Sequence, residues 1–185
     1  MVTTLKHITS IQTGVFAKPV QKGEIVYLQA KHFDENGELT ETLYPDLDAN
    51  SKIHKHLLKI GDVLFAAKGT KNFAAWYEND NMPAVASTSF FVIRLHDKNV
   101  LPRYLTWFLN HPSIQALLKA QARGSSIASI SKAVLSELEI PIPNLQKQEL
   151  ILKIFELRNK EKNLKQQIEN LREKEIQNLL INTIK

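Results

Sequence analysis

Acidic, histidine and glycine residues are the groups whose spacing would reveal catalysis in this chain, which has no cysteine. Metal-dependent nucleases often carry a lysine two positions after an acid, and none of the 19 acidic residues is followed in this way. The glycine loops that hold nucleotides, the Asn/Asp-Pro-Pro-aromatic motif of amino-methyltransferases and the Gly-x-Ser-x-Gly turn of hydrolases are also missing. His54 and His56 have no third ligand nearby, which favours surface histidines over a metal site. The sequence therefore predicts no catalytic residue, no metal and no cofactor.

Composition indicates a folded domain with an appendage. The chain has 185 residues, of which 43% are hydrophobic, and a net charge of +5. Without cysteine it cannot form disulfides, and no apolar run is long enough for a signal peptide or a membrane helix, so we expect a soluble cytoplasmic protein. Residues 24–50 hold seven acids, whereas residues 51–72 hold five lysines. This alternation fits either plain solvated charges or one face that attracts phosphate.

The elements that would position any site divide into short strands followed by helices. Apolar and β-branched runs predict strands at Ile25–Ala30, Val63–Ala67 and Ala84–Leu95. Opening prolines and helix formers predict helices at Pro102–Asn110 and Pro112–Arg123. Ser131 is a candidate cap for a short third helix that ends near Leu138. Strands first and helices afterwards predict an α+β fold, a mixed α/β domain followed by one long C-terminal helix.

The long helix is predicted from residues 145–185, which contain neither glycine nor proline. Its apolar residues are spaced by three and four positions and form a heptad seam, in which Glu161 occupies the one missing position. After Leu171 the apolar stripe shifts, as in a stutter. The seam residues are Leu150, Ile154, Leu157, Leu164, Ile168 and Leu171. A helix of this length needs a second helix beside its seam, although a surface helix or two shorter helices remain alternatives.

Six segments follow one another in an order that is typical of one protein family. Leu57–Trp76 contains "GDVLF" and a following glycine, and Leu138–Gln148 matches "I-P-[LI]-P-x-L-x-x-Q". The other four segments are Ile8–Gly14, Gln29–Phe33, Leu101–Asn110 and Gly124–Lys132. In this order they resemble the specificity subunits of type I restriction–modification systems, in a half-size form with one target-recognition domain and one conserved coiled-coil helix. The resemblance covers nearly the whole chain.

The resemblance implies a DNA target-recognition domain over residues 1–143. Residues 144–185 would then form the helix for coiled-coil dimerisation and methyltransferase docking. We expect a non-catalytic subunit that binds double-stranded DNA and joins methyltransferase and restriction subunits. Because the seam cannot be buried within one chain, we expect an antiparallel homodimer that reads an inverted-repeat split site. Two other functions remain open: a structural coiled-coil adaptor without DNA affinity, and a stand-alone DNA-binding regulator.

Two polar segments are the candidate DNA contacts. Lys68–Asn72 follows a predicted strand, and its glycine lets the backbone approach DNA closely. Arg123–Ser126 lies at a predicted helix end, where arginine fits guanine or phosphate. The candidate residues are Lys68, Thr70, Lys71, Asn72, Arg123, Ser125 and Ser126. For each segment the alternative is structural, a surface turn in the first case and helix termination at a glycine in the second.

Overall fold

The computed structural model of this chain describes residues 1–69, 72–78, 82–121 and 129–184. The chain divides into two compact units, Met1–Leu145 and Gln146–Lys185. The first unit holds the strands and five helices of the described residues, and the second is helical. This mixed architecture with a long C-terminal helix confirms the fold class predicted from the sequence. Across the described residues, no helix has an apolar stretch that could cross a bilayer.

A four-stranded antiparallel sheet forms the centre of the first unit. Its order is β2 (Thr9–Thr13), β7 (Phe90–Leu95), β4 (Val63–Ala66) and β5 (Ala74–Trp76). Every residue of β4 is buried, as expected for a strand that pairs on both edges and is covered on both faces. Register is fixed at the centre of the sheet, where Val63 lies opposite Ile93.

Two pairs of short strands complete the β structure of the described residues. β3 (Val26–Leu28) runs parallel to β6 (Ala84–Ala86), and all six residues are buried. β1 (Val2–Thr4) pairs in antiparallel fashion with β8 (Glu139–Pro141), so the two ends of the first unit lie together. β8 follows the helices along the chain, and the sequence did not predict it.

Six α-helices accompany these strands in the described residues. The bounds are α1 Leu5–Ile8, α2 Ser51–His54, α3 Pro102–Asn110, α4 Pro112–Gln121, α5 Lys132–Ser136 and α6 Leu145–Thr183. Proline is the first residue of α3, where its missing N–H costs nothing. The Ser131 side chain accepts a hydrogen bond from the Val134 N–H, which confirms its predicted role as a cap. α6 is continuous, so the alternative of two shorter helices is wrong.

The predicted strand Ala84–Leu95 is wrong in one respect, because it is two strands. β6 ends at Ala86 and β7 begins at Phe90, with a turn between them. The Ser87 and Ser89 hydroxyls lie 2.6 Å apart, and the Phe90 N–H donates to the Ser87 carbonyl. Side-chain bonding of this kind offers the backbone an alternative to a strand ladder. The predicted strand Ile25–Ala30 is also shorter, because Ala30–His32 forms a 3₁₀ turn.

Aromatic packing fills the core beside β4. The rings of Phe33, Phe73 and Phe90 form a cluster with centroid separations of 5.7 to 5.9 Å. Two of the three contacts are edge-to-face, the geometry that the ring quadrupoles prefer. Full burial of a large apolar side chain contributes about 1.5–3 kcal/mol. The cluster therefore fixes the segment before β5 against the start of β7.

A buried ion pair joins β7 to the turn that leads into β4. The Asp62 side chain is 1% exposed, and its carboxylate accepts hydrogen bonds from Arg94 Nε at 2.7 Å and Nη2 at 2.6 Å. The Lys59 N–H donates to the same carboxylate at 2.8 Å. The hydrogen bonds that Arg94 donates to Asp62 raise the pKa of Arg94, so its guanidinium stays charged. Gly61, with a φ of +90°, turns the chain into this position.

Replacing Asp62 with asparagine is expected to lower the free energy of unfolding by about 1.5–3 kcal/mol, because the buried carboxylate that accepts hydrogen bonds from Arg94 and from the Lys59 N–H is lost, while Arg94 itself is partly exposed to solvent. Urea unfolding measures the change. The matched control is Asp48→Asn, since Asp48 is an exposed acid of the same unit. Equal unfolding midpoints for the two variants would show that the ion pair contributes nothing.

Candidate nucleic-acid interface

The β4–β5 turn presents the first candidate contact to solvent. Lys68 lies two residues after the last residue of β4 and is exposed. Gly69 has a φ of +117°, a conformation that favours glycine, and among the described residues beyond its chain neighbours no atom lies within 4 Å of the position that a Cβ would occupy. The backbone at Gly69 is therefore open to close approach by a ligand. Thr70 and Lys71 lie outside the described residues.

The second candidate segment is connected to this turn through Ser129. Lys68 and Ser129 form an isolated antiparallel bridge, and the Ile130 N–H donates to the Ala67 carbonyl at 3.0 Å. Ser129 is three residues after Ser126 in the chain. Ser129, three residues after the second predicted segment, thus lies beside Lys68 of the first segment.

Arg123, Ser125 and Ser126 lie outside the described residues. The predicted end of the second helix near Gly124 falls in the same segment, and α4 is described as far as Gln121. The contact of Arg123, Ser125 and Ser126 with DNA therefore stays a prediction.

Asn72 has a structural task in the turn. Its amide nitrogen donates to the Ala66 carbonyl at 2.9 Å, and the side chain is half-buried. This bond closes the turn on the last residue of β4. Since this bond holds the amide group in place, Asn72 can determine the shape of the surface on which Lys68 lies.

A surface depression of about 250 Å³ lies beside Lys68 and Gly69. Its lining residues are Ala30, Phe33, Asp34, Glu35, Lys68, Gly69 and Phe73. Burial raises the pKa of Asp34, but hydrogen bonds from the Glu38 and Asn36 N–H groups and the Asn36 amide outweigh it and hold the pKa below its usual value. Asp34 is therefore an ionised carboxylate that accepts hydrogen bonds within its own loop, and the lining holds two acids, Asp34 and Glu35, beside one base, Lys68.

Asn110 ties together three parts of the first unit, a role that the sequence analysis did not predict. Its amide oxygen accepts from the Ala74 N–H at 2.7 Å, and its amide nitrogen donates to the Ala74 carbonyl at 2.8 Å. The same nitrogen donates to the Asn36 carbonyl at 3.2 Å. The last residue of α3 therefore satisfies the backbone at the start of β5 and holds the Asp34 loop beside it. A polar residue at the end of an amphipathic helix was the one available signal.

A metal site has no support in the part of the chain that the structure describes. No group of three or more His, Asp or Glu side chains there could hold an ion. His54 is exposed at the end of α2, and His56 is half-buried two residues later.

The predicted seam of α6 forms an exposed apolar stripe. Its six residues are between 49% and 64% exposed: Leu150, Ile154, Leu157, Leu164, Ile168 and Leu171. Apolar residues beyond the predicted stutter, among them Ile176 and Leu179, are exposed as well. A contiguous apolar surface of this kind marks an interaction site rather than a solvated face.

The sequence profile described as "Type I restriction modification DNA specificity domain" matches residues 6–170. This chain belongs to that family. The match includes the β4–β5 turn and every residue of the α6 seam except Leu171. The resemblance predicted from the six ordered segments is therefore confirmed.

A curated member of the family is similar over 126 residues at 28% identity. It is described as a putative type I restriction enzyme MjaX specificity subunit from Methanocaldococcus jannaschii, and the match covers 66% of this chain and 30% of that protein. The chain thus matches less than a third of the length of this relative.

Three solved structures share the fold of this chain. A chain from a type I restriction–modification system has a TM-score of 0.67 at 20% identity, and it is matched over 90% of this chain and 44% of its own length. The HsdS subunit from Thermoanaerobacter tengcongensis has a TM-score of 0.65 at 21% identity, covering 89% and 43%. The S subunit from M. genitalium has a TM-score of 0.59 at 16% identity, covering 86% and 39%. The chain spans under half the length of each.

One residue in each of two family motifs has a clear structural role in this chain. Asp62 of "GDVLF" makes the buried ion pair with Arg94. Tyr104 of "P-x-Y-L" is buried and donates its hydroxyl to the Pro141 carbonyl at 2.8 Å, within the "I-P-I-P" segment. Both residues therefore serve the fold of the domain, since they hold strands and turns rather than present groups to a ligand.

Replacing Asn110 with alanine is expected to lower the free energy of unfolding by about 1–3 kcal/mol, because the buried N–H and carbonyl of Ala74 lose their partner. Urea denaturation of the full chain measures the change. Asn159→Ala is the control, since Asn159 is exposed on α6. The proposed role of Asn110 is refuted by a variant that unfolds at the same urea concentration as this control.

Proposed function

We propose that this chain recognises a specific DNA sequence for a type I restriction–modification complex. The observation that carries the proposal is the family match over residues 6–170. On this proposal, residues 1–143 are the target-recognition domain and residues 144–185 are the helix that assembles the complex. The exposed seam of α6 supports the second part.

The β4–β5 turn and the segment before Ser129 form the proposed DNA contact. Lys68 and Lys71 would neutralise phosphates, which supplies affinity without regard to sequence. Thr70, Ser125 and Ser126 would contact phosphate or base edges, and Arg123 and Asn72 would contribute to sequence preference. The open backbone at Gly69 and the bridge from Lys68 to Ser129 support a single contact surface made from both segments.

The chemistry of the complex would reside in other subunits. The sequence lacks the motifs for methyl transfer and DNA cleavage, and we propose that a DNA methyltransferase and a restriction subunit supply these activities. The purified chain would then bind DNA without modifying it. Methyl transfer by this chain alone, with contaminating enzyme removed, would contradict this assignment.

The seam of α6 would be covered by a second helix in the complex. One candidate is a second copy of α6 in the antiparallel homodimer predicted from the sequence. That arrangement would put two identical recognition domains at opposite ends of the paired helices, and they would read an inverted repeat. The other candidate is a helix of a different polypeptide segment.

Replacing Lys68 with alanine is expected to weaken binding about equally across DNA sequences and to reduce the salt slope by about one unit, because one phosphate contact is lost. Gel-shift titrations at several salt concentrations measure both quantities. A Lys68→Ala, Lys71→Ala, Arg123→Ala variant is expected to lose most of its affinity and some of its sequence preference.

The control is Lys162→Ala, since Lys162 is an exposed lysine on α6. Unchanged affinity and salt dependence in the triple variant would show that DNA binds elsewhere. No DNA binding by the wild-type chain would favour a structural adaptor instead.

A further inference from the structure

The ring of Phe16 is exposed in the loop that follows β2. Phe16 is 78% exposed, whereas the other six described phenylalanines of the first unit are buried or half-buried. Single exposed apolar side chains are common on protein surfaces and do not by themselves mark a binding site. Two further features distinguish Phe16: its backbone is held in place on both sides, and it lies at the same end of the sheet as Lys68.

One buried hydroxyl group fixes the backbone on both sides of Phe16. The Tyr27 hydroxyl donates to the Val15 carbonyl at 2.9 Å and accepts a hydrogen bond from the Ala17 N–H at 3.3 Å. Tyr27 itself is 4% exposed and belongs to the buried strand β3. Val15 also pairs with Ser87 in a parallel bridge. The loop is therefore anchored to the domain, and its apolar ring is exposed between two fixed residues.

The loop leaves the central sheet at the same end as the β4–β5 turn. β2 and β4 both run antiparallel to β7, so the two strands point in the same direction. At their ends, the Gly14 N–H donates to the Phe90 carbonyl at 3.0 Å, and Phe90 also lies opposite Ala66. Gly14 and Ala66 are thus two strand spacings apart, which is about 10 Å. Phe16 and Lys68 each follow two residues later, at this one end of the sheet.

The turn between β6 and β7 connects these two loops. On one side of the turn, the Val15 N–H donates to the Ala86 carbonyl at 2.8 Å. On the other side, the Ala67 N–H donates to the Ser89 carbonyl at 2.9 Å. Because hydrogen bonds join the turn to both loops, three segments form one continuous surface: residues 13–18, 67–69 and 87–90.

The composition of this surface fits DNA. Its three segments contain no acidic residue, and they carry two exposed lysines, Lys18 and Lys68. The acids that line the depression beside Lys68, Asp34 and Glu35, belong to a different loop, which follows β3. Lysines attract phosphate, whereas an apolar ring finds its partner on a base, the C5 methyl group of thymine in the major groove. A spacing of about 10 Å corresponds to about three base-pair steps, so both contacts are possible within one groove.

We propose that Phe16 contacts the C5 methyl group of a thymine in the DNA target and thereby contributes to sequence preference. This role rests on the DNA recognition proposed above. Lys68 would supply attraction to any sequence, and Phe16 would supply a contact that depends on the base. A protein partner is the other class of molecule that an exposed ring could meet. The connection to Lys68 and the lack of acids in the three segments favour DNA.

Deoxyuridine in the DNA tests this contact, because it differs from thymidine only in lacking the C5 methyl group. The full chain first selects its preferred duplex from a random pool. That duplex is then remade with each thymidine replaced in turn by deoxyuridine, and gel-shift titration measures the affinity. At one position the replacement is expected to weaken wild-type binding about fourfold, the effect of losing one buried methyl group.

Phe16→Ala is the matched variant. It is expected to bind the thymidine and deoxyuridine duplexes about equally at that position, because the ring that contacts the methyl group is gone. Its salt slope is expected to equal that of the wild type, since an apolar contact releases no counterions. Ile60→Ala is the control, because Ile60 is 60% exposed and lies three residues before β4, at the opposite end of that strand. The control is expected to keep the fourfold difference, and urea unfolding of both variants confirms that they are folded.

The thymine contact is overturned if no deoxyuridine replacement weakens wild-type binding, or if Phe16→Ala keeps the full difference. A selected motif made only of G·C pairs also overturns it. In each of these cases the wild-type chain still selects one sequence, so the proposed function stands and Phe16 is left to a protein partner. If the wild-type chain selects no sequence, the proposed function fails, and the thymine contact fails with it.

Discussion

The ion pair between Asp62 and Arg94 is the interaction on which the geometry of the domain depends. It joins the turn before β4 to β7, and β4 lies between β7 and β5 in the sheet. A buried charge is tolerated only when it is paired and hydrogen-bonded, so the two strands cannot slide past one another without a large cost. The position of the β4–β5 turn follows from this register. Lys68, two residues after β4, is exposed to solvent beside a strand whose residues are all buried.

The long helix obeys a different constraint. Six apolar residues of the α6 seam are about half exposed or more, and no other part of the helix can cover them. This exposed apolar stripe is the feature on which the proposed assembly role of α6 rests. The two units thus have different roles in the proposed function. On that proposal, the first would hold a small polar surface for DNA, and the second would join the domain to its partner.

Much of the fold could be predicted because local signals are strong where they occur. The absence of glycine and proline predicted α6, and opening prolines predicted α3 and α4. The elements that were missed depend on distant partners. β1 pairs with β8 near the far end of the first unit, and the alanine-rich β5 has weak strand propensity of its own. The turn after β6 was missed because its small and β-branched residues also suit a strand.

The candidate site was predictable only in part, for the same reason. The turn at Lys68–Asn72 has a local signal in its glycine, whose φ is positive in the structure. The bridge from Lys68 to Ser129 and the bonds from Asn110 to Ala74 join residues far apart in the chain, and the sequence contains no local trace of them. The ion pair of Asp62 was not predictable from the "GDVLF" segment, since its partner Arg94 is 32 residues away.

The central claim is that this chain reads a DNA sequence, and selection from a pool of random DNA duplexes tests it most directly. The full chain is mixed with the pool at physiological salt, and bound DNA is recovered, amplified and sequenced over several rounds. The account predicts enrichment of one short motif, which separates specific binding from the salt-dependent attraction of any cationic surface. A recovered pool that stays random, with retention that depends on salt alone, would contradict it.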